Sequence, residues 1–92
     1  LSELFNREAD ACVRRMETGL VENDATATAR AAHSLKGSAN NLGANRLATA
    51  CASLEQQVKV ADWAQAGIQI QDIKAQLERV RESLKAETQT AV

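Results

Sequence analysis

The chain has one histidine, His33, followed one helical turn later by a lysine, Lys36, and a glycine, Gly37. Imidazole titrates near neutrality, so a neutral, nucleophilic ring nitrogen is on hand under cellular conditions. Hydrolysis would need more: a serine and a carboxylate at fixed spacing, a second histidine, or a cluster of metal ligands, and the sequence offers none of these. A lone imidazole can instead accept a group covalently and release it again. A phosphoryl group adds roughly −1.5 to −2 of charge. Lys36, with Arg30 more distantly, would offset that charge, and Gly37 would leave room for the tetrahedral group and for a donor protein's surface.

Helical phase decides whether His33 is available for such work. Most buried histidines in helices are satisfied core residues, and that is the plain reading to displace. At about 100° per residue, Ala31, Leu35, Ala39 and Leu42 fall within roughly 80° of one another, and His33 lies about 165° from their centre. The imidazole is therefore expected in solvent, with Lys36, Gly37, Asn40 and Ala29 around it. Glycine inside a helix costs roughly 1 kcal/mol relative to alanine. Gly37 caps nothing, because the apolar pattern continues through Leu42. Drift at a solvated position would explain the glycine by itself. An exposed imidazole, an adjacent cation and a costly glycine together point to something large approaching beside the histidine.

The elements that hold this group follow from composition. The chain has 92 residues, no proline, four glycines, eighteen alanines, 45% hydrophobic residues and only 2% aromatic ones. Alanine is the best helix former, whereas β-branched and aromatic residues favour strands, so the chain reads as all-α. Small side chains can build only a thin core, best made from closely packed helices. Net charge is −1, so the basic surplus of a nucleic-acid binder is missing. No apolar run approaches the roughly eighteen residues of a membrane span, and no signal peptide opens the chain. Cys12 and Cys51 have neither metal spacing nor a disulfide framework, and both fall on apolar faces as free thiols. The natural compartment is the cytoplasm, and the start at Leu1 without a methionine reads as a piece of a longer protein.

Four helices are expected in one domain over residues 1–92, at about 2–18, 25–42, 45–59 and 63–86. The first carries the stripe Phe5, Ala9, Cys12, Met16, with Ser2 as N-cap and Gly19 as C-terminal stop; Leu20–Asp24 is the connection, and Asn23 or Asp24 caps the next helix. The second carries Thr28, Ala31, Leu35, Ala39 and Leu42 and ends at Gly43; the third carries Leu47, Cys51, Leu54 and Val58. Asp62 opens the fourth, with Gln65 in capping-box position, and Trp63, Ala66, Ile70, Ile73, Leu77, Val80 and Leu84 recur without a miss. Such a stripe is more often bundle core than a coiled-coil partner face, all the more with three other amphipathic helices on hand. Connections of two to five residues make consecutive helices antiparallel neighbours, giving an up-down-up-down four-helix bundle. The polar tail Lys85–Val92 is expected to fray.

The run Ala32-His33-Ser34-Leu35-Lys36-Gly37-Ser38-Ala39, then Leu42-Gly43-Ala44, Leu47 and the pair Leu54-Glu55, resembles the histidine-containing phosphotransfer (HPt) domain. The match lies on the middle two helices, and helix number and chain length agree over the whole sequence. The resemblance implies a phosphocarrier of a multistep two-component phosphorelay, with His33 phosphorylated, Lys36 stabilising the phosphoryl oxygens and Gly37 giving clearance. Glu55 matches a position where some members have a glutamine near the imidazole. A carboxylate there would fix the ring tautomer and also repel phosphate, and Gln56 is the alternative polar neighbour. Ala29, Arg30, Ser34, Asn40 and Asn41 would belong to the docking surface, together with exposed residues of the first helix.

The partners so implied are receiver domains of response regulators or of the same hybrid kinase, the receiver supplying the phosphoaspartate, Mg²⁺ and a lysine. The domain itself needs no cofactor, and with neither a Gly-rich loop nor a Walker-type sequence it has no nucleotide site and is not an enzyme by itself. The expected parent is a bacterial hybrid sensor histidine kinase. The alternatives are the phosphotransfer domain of a chemotaxis-type kinase and a helical module that docks receivers without taking phosphate. No nucleic acid or membrane contact is expected, and the isolated domain is expected to be a monomer.

Overall fold

The structure, a computed structural model, describes the backbone of residues 2–90 and the side chains of residues 3–86. The described chain forms four helices: α1 (Ser2–Glu22), α2 (Ala25–Asn41), α3 (Asn45–Lys59) and α4 (Trp63–Thr90). Each packs on its chain neighbours, α4 closes onto α1, and no diagonal pair is in contact among the described residues. Along each seam residues meet in opposite order. Thr28 and Ser38 of α2 face Gly19 and Glu8 of α1, and Lys74 and Arg81 of α4 face Glu17 and Asp10. The fold is thus the antiparallel up-down-up-down bundle that the alanine-rich pattern implies.

Apolar stripes at three- and four-residue steps supply the core. Phe5, Ala9, Cys12 and Met16 of α1, Leu47, Cys51, Leu54 and Val58 of α3, and Ala66, Ile70, Ile73 and Leu77 of α4 are all buried. On α2 the buried set is Thr28, Ala31, Ala32, Leu35 and Ala39. Its alanines let α1 and α3 approach closely on either side. Trp63, Val80 and Leu84 are only partly buried against this core, because they lie near the two ends of α4. Leu42, expected on the stripe of α2, is instead its C-cap and 37% exposed, at the open end of the bundle. Both cysteines are free and buried, and burial pushes the Cys51 thiol up to about 12.

The helix ends follow one pattern. At the three turns, Asn23, Gly43 and Ala61 take positive φ. The next residue donates its N–H five residues back in each case: Asp24 to Gly19, Ala44 to Ala39, Asp62 to Gln57. This is the Schellman arrangement, which satisfies the last carbonyls and reverses the chain in two or three residues. Asp24 and Asp62 then cap the following helices, accepting at Oδ1 from the N–H of Ala27 and of Gln65. The return half of the expected capping box at Gln65 is not made, because the Asp62 N–H is committed to the Gln57 carbonyl.

Two boundaries differ from the sequence expectation, and one expected cap lies outside the described side chains. Gly19 does not stop α1, which runs on through Leu20 to Glu22 and leaves Asn23-Asp24 as the whole connection. Gly19 is buried in the α1–α2 contact, where a Cβ would lie 2.2 Å from Thr28 Oγ1. It is glycine for proximity, not for a turn. At the other end, α4 continues through Thr90, so the expected fraying from Lys85 is not seen over the described residues. The expected Ser2 cap falls on a side chain outside the described residues, and Ser2 itself is the first residue of α1.

Charge is paired off along the outer α1–α4 seam. Arg81 donates from Nε to Asn6 Oδ1 at 3.0 Å and from Nη1 to Glu78 Oε1 at 2.9 Å, and its Nη2 meets Asp10 Oδ1. Lys74 Nζ lies 3.2 Å from Glu17 Oε2.

Candidate functional site

The outward face of α2 exists because its inward face is fully committed. With Ala31, Leu35 and Ala39 in the core, His33 must point away from it, and its side chain is 73% exposed. Lys36 sits one turn on and toward α3, where Glu55 rises to meet it. Lys36 Nζ lies 3.0 Å from Glu55 Oε1, and His33 Nδ1 lies 3.5 Å from the same oxygen. That oxygen is shielded from solvent and takes no hydrogen bond of good geometry among the described residues. Charge holds it in place, and the lysine is the nearer group.

This geometry bears on both effects expected of Glu55. Nδ1 is the ring nitrogen turned toward the carboxylate, so Nε2 is the one left for chemistry. Repulsion between the carboxylate and an incoming phosphate is reduced because Lys36 neutralises Glu55 at close range. Gln56 is exposed and makes no hydrogen bond to the imidazole, whereas Glu55 Oε1 lies 3.5 Å from His33 Nδ1, so Glu55 is its polar neighbour.

Gly37 lies one turn beyond His33 on the same face. A Cβ there would meet nothing within 4 Å, so no internal packing requires the glycine. Of the surface residues expected around the histidine, Arg30, Ser34, Asn40 and Asn41 are exposed. Ala29 differs: it is half-buried against the core and forms the edge of the face, because its helical phase leans toward α3.

The exposed residues of the first helix expected at this surface, not singled out by the sequence, include two arginines. Arg14 and Arg15 line a groove with Arg30 and Ser34 of α2. An adjacent arginine pair off the apolar stripe is visible in the sequence. Which helix it would face becomes visible only once the order of helices around the bundle is known.

The site contains an exposed imidazole, a cation bound to an internal carboxylate, and open space. Such a site suits the exchange of a group with a partner. The family profile described as Hpt domain matches residues 1–83, and the chain belongs to that family. Hpt domains carry phosphoryl groups on histidine in phosphorelays, interact with response-regulator receiver domains and have no catalytic activity of their own. Searches of the curated proteins and of the solved structures return no match. Among the described residues no helix is long and apolar enough to cross a membrane.

Proposed function

We propose that His33 is the phosphoacceptor, taking a phosphoryl group from a receiver-domain aspartate and passing it to another receiver. The observation that carries this reading is the orientation of the one imidazole: exposed, with Nδ1 toward Glu55 and Nε2 free. Nε2 attacks the phosphorus of the aspartyl phosphate in line. The P–N bond forms as the P–O bond to the aspartate breaks, and the receiver regains its carboxylate. The proton on Nδ1 stays there, and the positive charge that develops on the ring faces Glu55.

Lys36 is the cation placed to reach the phosphoryl oxygens, and in the unphosphorylated domain Glu55 holds it ready. Gly37 leaves the approach open. Mg²⁺ and the remaining charge neutralisation belong to the receiver, so the domain itself holds no cofactor and stays inert without its partner. We further assign Arg30, Ser34, Asn40 and Asn41 to the docked surface, with Ala29 at its margin. The domain is read as a monomeric, cytoplasmic part of a bacterial hybrid sensor histidine kinase, on the likeness of the segment around His33. Neighbouring coding sequence decides the last point, since a dimerisation and ATP-binding portion downstream would make it a chemotaxis-type kinase.

The test is incubation with a phosphorylated receiver, followed by a search for acid-labile, base-stable phosphate on the domain. Wild type should label and His33→Gln should not, with helicity unchanged because the side chain is exposed. Labelling of His33→Gln, or none of wild type, would sink the assignment.

A further inference from the structure

The α1 side of His33 carries charge that the reaction does not use. A groove of about 660 Å³ runs between α1 and α2, lined by Arg14, Arg15, Arg30 and Ser34, with Glu22 as its one carboxylate. All three arginines are exposed, and none has an ion pair or hydrogen bond among the described residues. The chain as a whole has a net charge of −1, so this is a local concentration of positive charge. Beyond Ser34 the cleft continues to Ser38 and Glu8, where Ser38 Oγ donates to Glu8 Oε2 at 3.4 Å. This stretch is lined by Arg15 as well as Glu8, and Ser34, the neighbour of His33, borders both parts of the cleft.

Three unpaired arginines stabilise nothing in the free domain, since like charges close together repel. They do create a positive field beside the reacting nitrogen, and such fields speed the encounter with anionic partners. Guanidinium groups also match carboxylates in paired hydrogen bonds. On the other flank of His33, Lys36 is already neutralised by Glu55. A protein seated over His33 must also cover Ser34 and Arg30, its neighbours on the helix surface.

We propose that the α1–α2 groove docks an acidic segment of the receiver domain, so that Arg14, Arg15 and Arg30 select which receivers reach His33 and fix their orientation. This rests on the phosphoacceptor reading of His33.

The intact chain is assayed against receiver domains from its own organism, each loaded from radiolabelled acetyl phosphate. For the preferred receiver, Arg14→Glu/Arg15→Glu should lower kcat/KM by about tenfold to a hundredfold at low salt, mainly through KM. The deficit should shrink as salt screens the groove. Arg79→Glu, which reverses an exposed, unpaired arginine on α4, should transfer like wild type. Direct labelling by phosphoramidate, which needs no docking, reports whether His33 and the fold survive. Should the double reversal lose helicity, Arg14→Gln/Arg15→Gln should give the same ordering with a smaller loss.

Wild-type transfer from every receiver by the double variant overturns the proposal. So does weakened binding of tripolyphosphate with transfer unaltered, which would make the groove a small-anion site. A distinct failure, phosphoramidate labelling of His33→Gln as readily as wild type, removes the phosphoacceptor reading and the docking proposal with it.

Discussion

The two flanks of α1 treat arginine in opposite ways. Toward α4, Arg81 is tied to Asn6, Asp10 and Glu78, and Lys74 meets Glu17. Partial burial works against the Arg81 charge, but its hydrogen bonds to Asp10 and Glu78 outweigh this and hold its pKa above the ordinary value. Toward α2, Arg14, Arg15 and Arg30 line an open groove and have no ion pair or hydrogen bond among the described residues, although Arg14 also borders the α1–α4 cleft beside Asp10, Glu17 and Glu78. The first flank is paired within the chain; the second, on the docking proposal, is completed by another molecule. Two glycines repeat the contrast, for Gly19 is hemmed in by Thr28 and Asp24, whereas Gly37 has nothing near it. The lesson is that an apparently wasteful residue should be judged by what its own fold does with it. Where the fold makes no use of it, as at Gly37 and the three arginines, a partner is the explanation to test.

The largest effect expected from breaking this contrast is at Gly19. Helix propensity alone predicts that Gly19→Ala stabilises α1. The added Cβ would lie 2.2 Å from Thr28 Oγ1, and turning that hydroxyl away would break its 2.9 Å bond to the Asp24 carbonyl. Backbone atoms of Thr28 and Asp24 at 3.2 and 3.3 Å leave no other way to yield. The expected cost is about 2–3 kcal/mol, roughly 10 °C or more in Tm for a domain of this size. Thermal unfolding checks it, and a raised Tm would show that the α1–α2 contact is looser than described. Arg81→Ala comes next. It should cost about 1 kcal/mol in a salt-dependent manner, as a small surface network does, and leave phosphotransfer unaltered. Loss of transfer without loss of stability would erase the distinction between the two flanks.

Much of this was legible in the sequence, and the failures share a cause. The stripes through Met16, Leu54 and Ile73 needed only helical periodicity, which local physics sets, and the outward phase of His33 followed from the same count. Gly19 was misread because glycine has two uses. It favours positive φ at a helix end, and it permits close approach in the middle of one. Only the position of Thr28 across the interface separates the two. The converse also holds: two of the three left-handed turn residues are Asn23 and Ala61, which carry no glycine signal. Leu42 fits the periodic stripe, but burial depends on what lies beyond the helix end, and there the bundle stops. Around the histidine, sequence spacing brought out Lys36 and Gly37 because they share its helix. The choice of Glu55 over Gln56, and the place of Arg14 and Arg15 beside Arg30, depend on how neighbouring helices are rotated, which no single helix encodes.

The smallest effect is the sharpest test of the idea that Gly37 serves a partner. An alanine Cβ at Gly37 would meet nothing within 4 Å, and the position is an ordinary helical one without positive φ. Gly37→Ala should therefore stabilise the domain by about 0.5–1 kcal/mol, raising Tm by roughly 3–6 °C, in the opposite direction to Gly19→Ala. A long side chain such as that of Gly37→Gln should keep most of this gain, since the space is open solvent in the free domain. It would occupy the approach to His33 Nε2, so transfer from a phosphorylated receiver should slow, whereas labelling by the small donor phosphoramidate should change far less. Stability and transfer then move in opposite directions at one residue. If Gly37→Gln gains stability and transfers as fast as wild type, clearance for a partner is not the reason for the glycine. If Gly37→Ala loses stability instead, the outward face of α2 is packed against something within the chain, and the contrast with Gly19 disappears.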